Sequence, residues 1–207
     1  MTPDRFTYYS DLGDKHSYEK APTDVGSYSG ILDLFLRTVR MASESNLPDL
    51  VDIGAGNGIY SEYLCDAGAK VRALDPSPQS MQLTGVEKIH KVLEQADIPS
   101  ESADGIHIKD SLEHIADKRS FFEHCGRILR PRGIIVCVFE EANILYSLPS
   151  KFFGGPRYYS TTYNDIVRKG KRANIEFAFK MSWLPNPWET DWYSKPTVRT
   201  VAYGAKI

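Results

Sequence analysis

The sequence predicts an α/β fold: a doubly wound, mostly parallel sheet with helices on both faces. Three observations carry that expectation. Short, thoroughly apolar segments alternate with amphipathic helical ones through the first two thirds of the chain. A cluster of glycines sits where the first such segment hands over to a helix. Near the C-terminus, two β-rich runs follow one another with no room for a crossover helix, so they must pair antiparallel at the sheet edge.

Taken in order, residues 1–26 are polar and tyrosine-rich and read as an irregular arm. From Ser27 to Ser43, Ile31, Leu34, Phe35, Thr38 and Val39 recur at helical spacing, and Asn46 and Pro48 end that helix. Leu50–Ile53 is a strand, Ile59–Ala67 a helix closed by Gly68, and Lys70–Leu74 the next strand, finishing at Asp75. A helix over Gln79–Leu83, a strand over Val92–Gln95 and a strand over Gly105–Ile108 follow. A helix over Lys118–Leu129 is closed by Arg130-Pro131-Arg132-Gly133, and Ile134–Phe139 is the most apolar strand. Residues 142–160 read as loop, Thr161–Val167 as helix, and Asn174–Leu184 and Thr197–Lys206 as the final pair of strands.

The 207 residues are 42% hydrophobic, 25% charged and 12% aromatic, enough for a substantial core in one domain. This composition excludes a disordered chain, a collagen-like repeat and a disulfide-stapled miniprotein. A net charge of -2 gives no global positive field toward nucleic acid or anionic lipid. Cys65, Cys125 and Cys137 have neither disulfide-framework nor zinc spacing, and suit a reducing compartment. The first residues show no apolar targeting region, and the longest apolar run, Ile134 to Phe139, falls far short of the about 20 residues of a membrane span. The expectation is a cytoplasmic protein with no membrane span.

The chemistry-bearing segment is Val51-Asp52-Ile53-Gly54-Ala55-Gly56-Asn57-Gly58, followed by Asp75 at the tip of the next strand. Glycines at a strand-to-helix turn let the backbone approach a ligand closely, and the helix start behind them presents N–H groups. An acid ending the second strand can accept the hydroxyls of a ribose. Together these read as an adenosine site. The spacing is Gly-x-Gly-x-Gly rather than the Gly-x-Gly-x-x-Gly of a dinucleotide site. Asp52 would repel a pyrophosphate but suits a ligand with an ammonium group. S-adenosylmethionine, with an α-ammonium, a sulfonium and no phosphate, is therefore favoured over NAD.

At this point the sequence resembles the class I S-adenosylmethionine-dependent methyltransferases, and their small-molecule subgroup in particular. VDIGAGNG, the ALDPS turn at 73–77, QADIPSESADGIH at 95–107, DSLEHI at 110–115 and RILRPRG at 127–133 carry the resemblance in the family's order. It implies a Rossmann-like, seven-stranded sheet, mostly parallel, with one antiparallel strand at the edge. It also implies a division of the single domain at 1–207: an arm and helix over 1–46 that form part of a cap, a cofactor-binding core over 47–141, and substrate-side loops with a β-hairpin over 142–207. Asp52, Gly54, Ala55, Gly56 and Gly58 would line the methionine portion, Asp75 and Pro76 the ribose, and Ala96, Asp97 and Ile98 the adenine. Lys109 and, from the arm, Tyr18 would complete the cofactor site. Arg132 departs from the family, which commonly has glycine there.

The implied activity is methyl transfer to an oxygen or nitrogen of a small-molecule acceptor. An RNA or protein acceptor, or cofactor binding without transfer, are the alternatives. Catalysis would come mainly from alignment, with a base only where the acceptor must lose a proton. His114, with Asp110, is the candidate base, although a histidine there equally serves to orient the next helix. The spacing of Asp110, Glu113 and His114 is similar to the acid-x-x-Glu-His pattern of ubiquinone-pathway O-methyltransferases, which implies a divalent ion such as Mg2+. A solvated helix start explains acids there as well. His107, inside an apolar strand, reads as a hydrogen-bonded core residue. Phe152, Phe153, Tyr158, Tyr159, Trp183, Trp188 and Trp192 offer an aromatic acceptor pocket or simple cap packing. Arg168-Lys169-Gly170-Lys171-Arg172 reads as the positive end of a helix, with RNA phosphate contact as the alternative. The sequence is silent on oligomeric state.

Overall fold

The computed structural model describes residues 24–77, 86–141, 161–183 and 198–207. The expected helix at 79–83, the N-terminal arm with Tyr18, the 142–160 aromatics and the Trp188 and Trp192 segment lie outside the described residues.

The described elements are α1 (Ser29–Ser43, after a 3-10 turn at Gly26–Tyr28), β1 (Asp49–Ile53), α2 (Ile59–Asp66), β2 (Lys70–Leu74), β3 (Glu87–Ile89), β4 (Ala103–Lys109), α3 (Lys118–Ile128), β5 (Leu129–Glu141), α4 (Tyr163–Arg172), β6 (Ile175–Trp183) and β7 (Val198–Lys206). They form one seven-stranded sheet in the order β3-β2-β1-β4-β5-β7-β6. The first five pair parallel, and β7 runs antiparallel between β5 and β6. The antiparallel strand is thus second from the edge, with β6 outside it.

The apolar strands have two packed faces. Ile135, Cys137 and Phe139 of β5 join Ile106 and Ile108 of β4 in a core with Phe121, Phe122 and Ile128 of α3 and Ile166 of α4. Their neighbours Ile134, Val136 and Val138 point the other way, into a core with Leu32, Phe35, Leu36 and Val39 of α1 and Leu64 of α2. Successive side chains feed opposite layers, which is why no polar alternation shows in the sequence. The buried stripe of α1 is Leu32, Phe35, Leu36 and Val39, while Leu34 is 52% exposed. The helix is therefore rotated from the face that Ile31, Leu34 and Thr38 suggest. Among the described residues, no helix is long and apolar enough to cross a membrane.

Two elements differ from expectation. Val92–Gln95 is not a strand: Leu93–Gln95 is a 3-10 turn, closed by the Gln95 and Ala96 N–H groups donating to the Val92 carbonyl at 3.0 Å. Its single buried anchor is Leu93, and the edge strand is the polar Glu87–Ile89 instead. Likewise β5 begins at Leu129 and runs through the Arg-Pro-Arg-Gly segment, where Arg132 takes the left-handed φ of 67°. Holding a side chain there costs roughly 1–2 kcal/mol, partly offset by glycine's larger unfolded-state entropy. The Arg132–Glu44 ion pair at 3.8 Å is exposed and adds little. Arg132→Gly is expected to stabilise the fold by up to about 1 kcal/mol in urea denaturation; a destabilised variant would contradict the strain.

Candidate functional site

β1 delivers the chain to the carboxyl edge at Ile53, and the turn that follows uses positive φ at Gly54 (73°), Gly56 (58°) and Gly58 (89°). The Gly54 and Ala55 N–H groups donate to the Leu74 carbonyl at 2.8 and 2.9 Å, fastening the turn to the end of β2. A Cβ on Gly54 would lie 1.9 Å from Ser111 Oγ, so only hydrogen fits there. Among the described residues, a Cβ on Gly56 would meet nothing within 4 Å, so none of them crowds this part of the backbone.

Asp75 lies against that backbone. Its Oδ2 accepts from the Gly56 N–H and its Oδ1 from the Ser77 N–H, each at 2.9 Å. These two bonds orient the carboxylate beside the loop. An oriented carboxylate next to a backbone face that no described side chain crowds fits a nucleoside diol. Pro76 is half-buried beside it; Ala96 and Ile98 are buried in the core, with Asp97 between them exposed.

Asp52 is placed differently from the expectation that it meets a ligand. It is 2% exposed, accepts from Ser61 Oγ at 2.5 Å and is paired with His107 Nδ1 at 2.7 Å. His107 Nε2 is in turn 2.8 Å from the Tyr28 hydroxyl. The carboxylate therefore ties α2, β4 and the turn before α1 together beneath the glycine loop. Burial first, then the Asp52 charge, pushes the Tyr28 phenol well above its ordinary value. His107 is the hydrogen-bonded core residue its apolar strand suggests.

Beside the glycine turn, the end of β4 carries a charged cluster. Asp110 has φ 50°, and Arg199 Nη1 lies 2.9 and 2.8 Å from its two oxygens. The Lys109 ammonium also donates to Asp110, and stands 5.4 and 5.2 Å from the Tyr28 and Tyr60 ring centres. Burial alone would raise the Asp110 carboxyl, but Lys109 and Arg199 outweigh it and hold it below the usual carboxylate range. Glu113 is 5% exposed and is pushed up to about 7 by burial, with the charges of Asp110 and Glu140 adding to the shift. Burial lowers His114, favouring its neutral form, against the opposing charge of Asp110.

These placements correct the Mg2+ reading of Asp110, Glu113 and His114. Among the described residues, no group of histidine, cysteine or acidic side chains is arranged to hold a metal ion. Asp110 already has two cations on its oxygens, and Glu113 is buried deeply enough to favour its neutral form. That donor set does not fit a divalent ion.

Arg199 and Tyr28 belong to the site and carry no motif. Arg199 reaches Asp110 only because antiparallel pairing sets it opposite Glu140; the one available signal is a charge at the start of the last β run. In the basic segment, Arg168 and Lys169 pair with Asp165 at 2.8 and 2.6 Å at the end of α4, a placement the helix dipole favours.

Residues 51–137 match the family described as "Methyltransferase domain". The chain is 26% identical over 175 residues to the ubiquinone biosynthesis O-methyltransferase of Methylobacterium sp. (strain 4-46), covering 76% of this chain and 59% of that protein. It is 29% identical over 94 residues to that of Xanthomonas axonopodis pv. citri, covering 41% of this chain and 39% of that protein. The matches thus span less than two thirds of these relatives' length. In architecture it is similar to geranyl diphosphate C-methyltransferase from Streptomyces coelicolor A3(2), with a TM-score of 0.78 and 11% identity over 100% of this chain and 99% of that one. It is also similar to the 1,6-didemethyltoxoflavin-N1-methyltransferase of Burkholderia thailandensis, with a TM-score of 0.67 and 16% identity over 100% and 92% of the two chains. At these identities the likeness is one of fold. Residues 51–137 thus resemble a methyltransferase domain in sequence, and the architecture around them is shared with solved methyltransferases.

Proposed function

We propose that this protein transfers a methyl group from S-adenosylmethionine to an oxygen or nitrogen of a small-molecule acceptor. One observation carries the reading: the Asp75 carboxylate, held by the Gly56 and Ser77 N–H groups, stands beside the Gly56 backbone, which no described side chain crowds. The relatives named as ubiquinone biosynthesis O-methyltransferases support an oxygen acceptor. The thiols of Cys65, Cys125 and Cys137 are free, which suits the reducing cytoplasm.

When bound, S-adenosylmethionine supplies an already activated methyl on its sulfonium. The protein's own part is positioning. Gly56 and Asp75 hold the nucleoside, and Gly54, seated on Ser111, fixes the turn against the segment that follows β4. Asp110, held ionised by Lys109 and Arg199, is a fixed anion rather than a proton acceptor at neutral pH. His114, kept neutral by burial, is the group suited to take a proton from an acceptor hydroxyl. Residues 1–46 and 142–207 supply the acceptor side.

The test is calorimetric titration with S-adenosylhomocysteine and, separately, NAD. One-to-one binding of the first and none of the second is expected; tight NAD binding with no response to the thioether overturns the reading. Methyl-labelled cofactor incubated with metabolite extract and with total RNA then separates a small-molecule from an RNA acceptor.

A further inference from the structure

We propose that the charged cluster at the end of β4 takes no divalent ion, because the Arg199 guanidinium, seated on both oxygens of Asp110 and joined there by the Lys109 ammonium, occupies the cation position. This deepens the methyl-transfer reading, since it assigns the positive charge on the acceptor side to a side chain of the protein.

Three observations support it. The first is geometric. Arg199 Nη1 lies 2.8–2.9 Å from both Asp110 oxygens, so an ion needing oxygen donors at about 2.0–2.1 Å cannot share them without displacing it. The second is charge balance. Lys109 and Arg199 offset Asp110 and Glu140, the latter 4.0 Å from Arg199 Nη2. A doubly charged ion would leave that balance strongly positive at a partly buried site. The third is delivery. Pairing of Glu140 with Arg199 across β5 and β7 brings the guanidinium from the sheet itself, with Nη1 on both Asp110 oxygens and Nη2 turned toward Glu140.

The 207-residue chain, wild type and Arg199→Met, is titrated with Mn2+ while the paramagnetic resonance signal of the free ion is followed. S-adenosylhomocysteine affinity and the circular dichroism melt report the folded state. The wild type is expected to leave Mn2+ free, and Arg199→Met to bind it at least about tenfold more tightly than wild type, as Asp110 loses one of its two cationic partners. Wild-type protein that binds Mn2+ stoichiometrically, and loses it on Asp110→Asn, overturns the proposal. So does an Arg199→Met protein that binds S-adenosylhomocysteine normally yet gains no Mn2+. Should Arg199→Met fail to fold, Arg199→Lys replaces it: continued exclusion of Mn2+ supports the proposal and stoichiometric uptake overturns it. Absent S-adenosylhomocysteine binding in the wild type would sink the methyl-transfer reading alone, since the Mn2+ result is read independently.

Discussion

Asp75→Ala will weaken S-adenosylhomocysteine binding about a hundredfold, equivalent to ~3 kcal/mol. Hydrogen bonds to an ionised acceptor contribute about 1.5–3 kcal/mol each, and a ribose offers this carboxylate two hydroxyls. The carboxylate is oriented before any ligand arrives, by the Gly56 and Ser77 N–H groups at 2.9 Å, so little ordering opposes binding. Removing it also leaves the Gly56 N–H to water and loosens the turn, which adds to the loss. Asp75→Asn keeps a carbonyl oxygen for one of those N–H groups but loses the charge and turns one acceptor into a donor. It should fall between wild type and alanine, near tenfold. Calorimetry checks both, with the thermal melt as the folding control. An unchanged dissociation constant for Asp75→Ala would remove Asp75 from the cofactor site.

Why Asp75 is legible in the sequence and Arg199 is not follows from how each reaches the site. The glycine turn and Asp75 belong to adjacent βα units, so local order alone sets them side by side at one sheet edge. The same locality makes β1, α2, β2 and β4 readable from their apolar patterns. Arg199 arrives from the far end of the chain through the β5–β7 register, and no local pattern specifies that pairing. Asp52 shows the converse limit. Its type and position are plain in the motif, but its direction depends on the parallel register that sets His107 opposite it. Charge arithmetic alone points Asp52 at a ligand; the register gives it a buried partner. The edge strand fails for a third reason: Glu87–Ile89 is too short and polar to show a period, while Val92 and Leu93 look strand-like although only Leu93 is fully buried.

The register of Asp52 with His107 sets up the largest stability effect. His107→Ala is expected to cost about 3–5 kcal/mol of folding free energy, lowering Tm by roughly 10 °C in a chain of this size. Both partners are nearly sealed from water, at 1% and 2% exposure. Losing the imidazole takes from Asp52 its Nδ1 partner, leaving the Ser61 hydroxyl, and takes from the Tyr28 hydroxyl its partner at 2.8 Å. It also opens a space between the rings of Tyr28, Phe35 and Tyr60, whose centres lie 5.8, 6.2 and 5.9 Å from the imidazole. His107→Asn can still offer Asp52 a donor but cannot span to Tyr28, and should lose about half as much. The double variant Asp52→Ala/His107→Ala separates the causes, because it removes the carboxylate that the single change strands. If the stranded carboxylate dominates, the double variant will be less destabilised than the sum of the two singles; if the cavity dominates, the two costs will add. Urea denaturation of the four proteins reads the cycle. A His107→Ala protein within about 0.5 kcal/mol of wild type would mean that the pair under the glycine loop carries no stability.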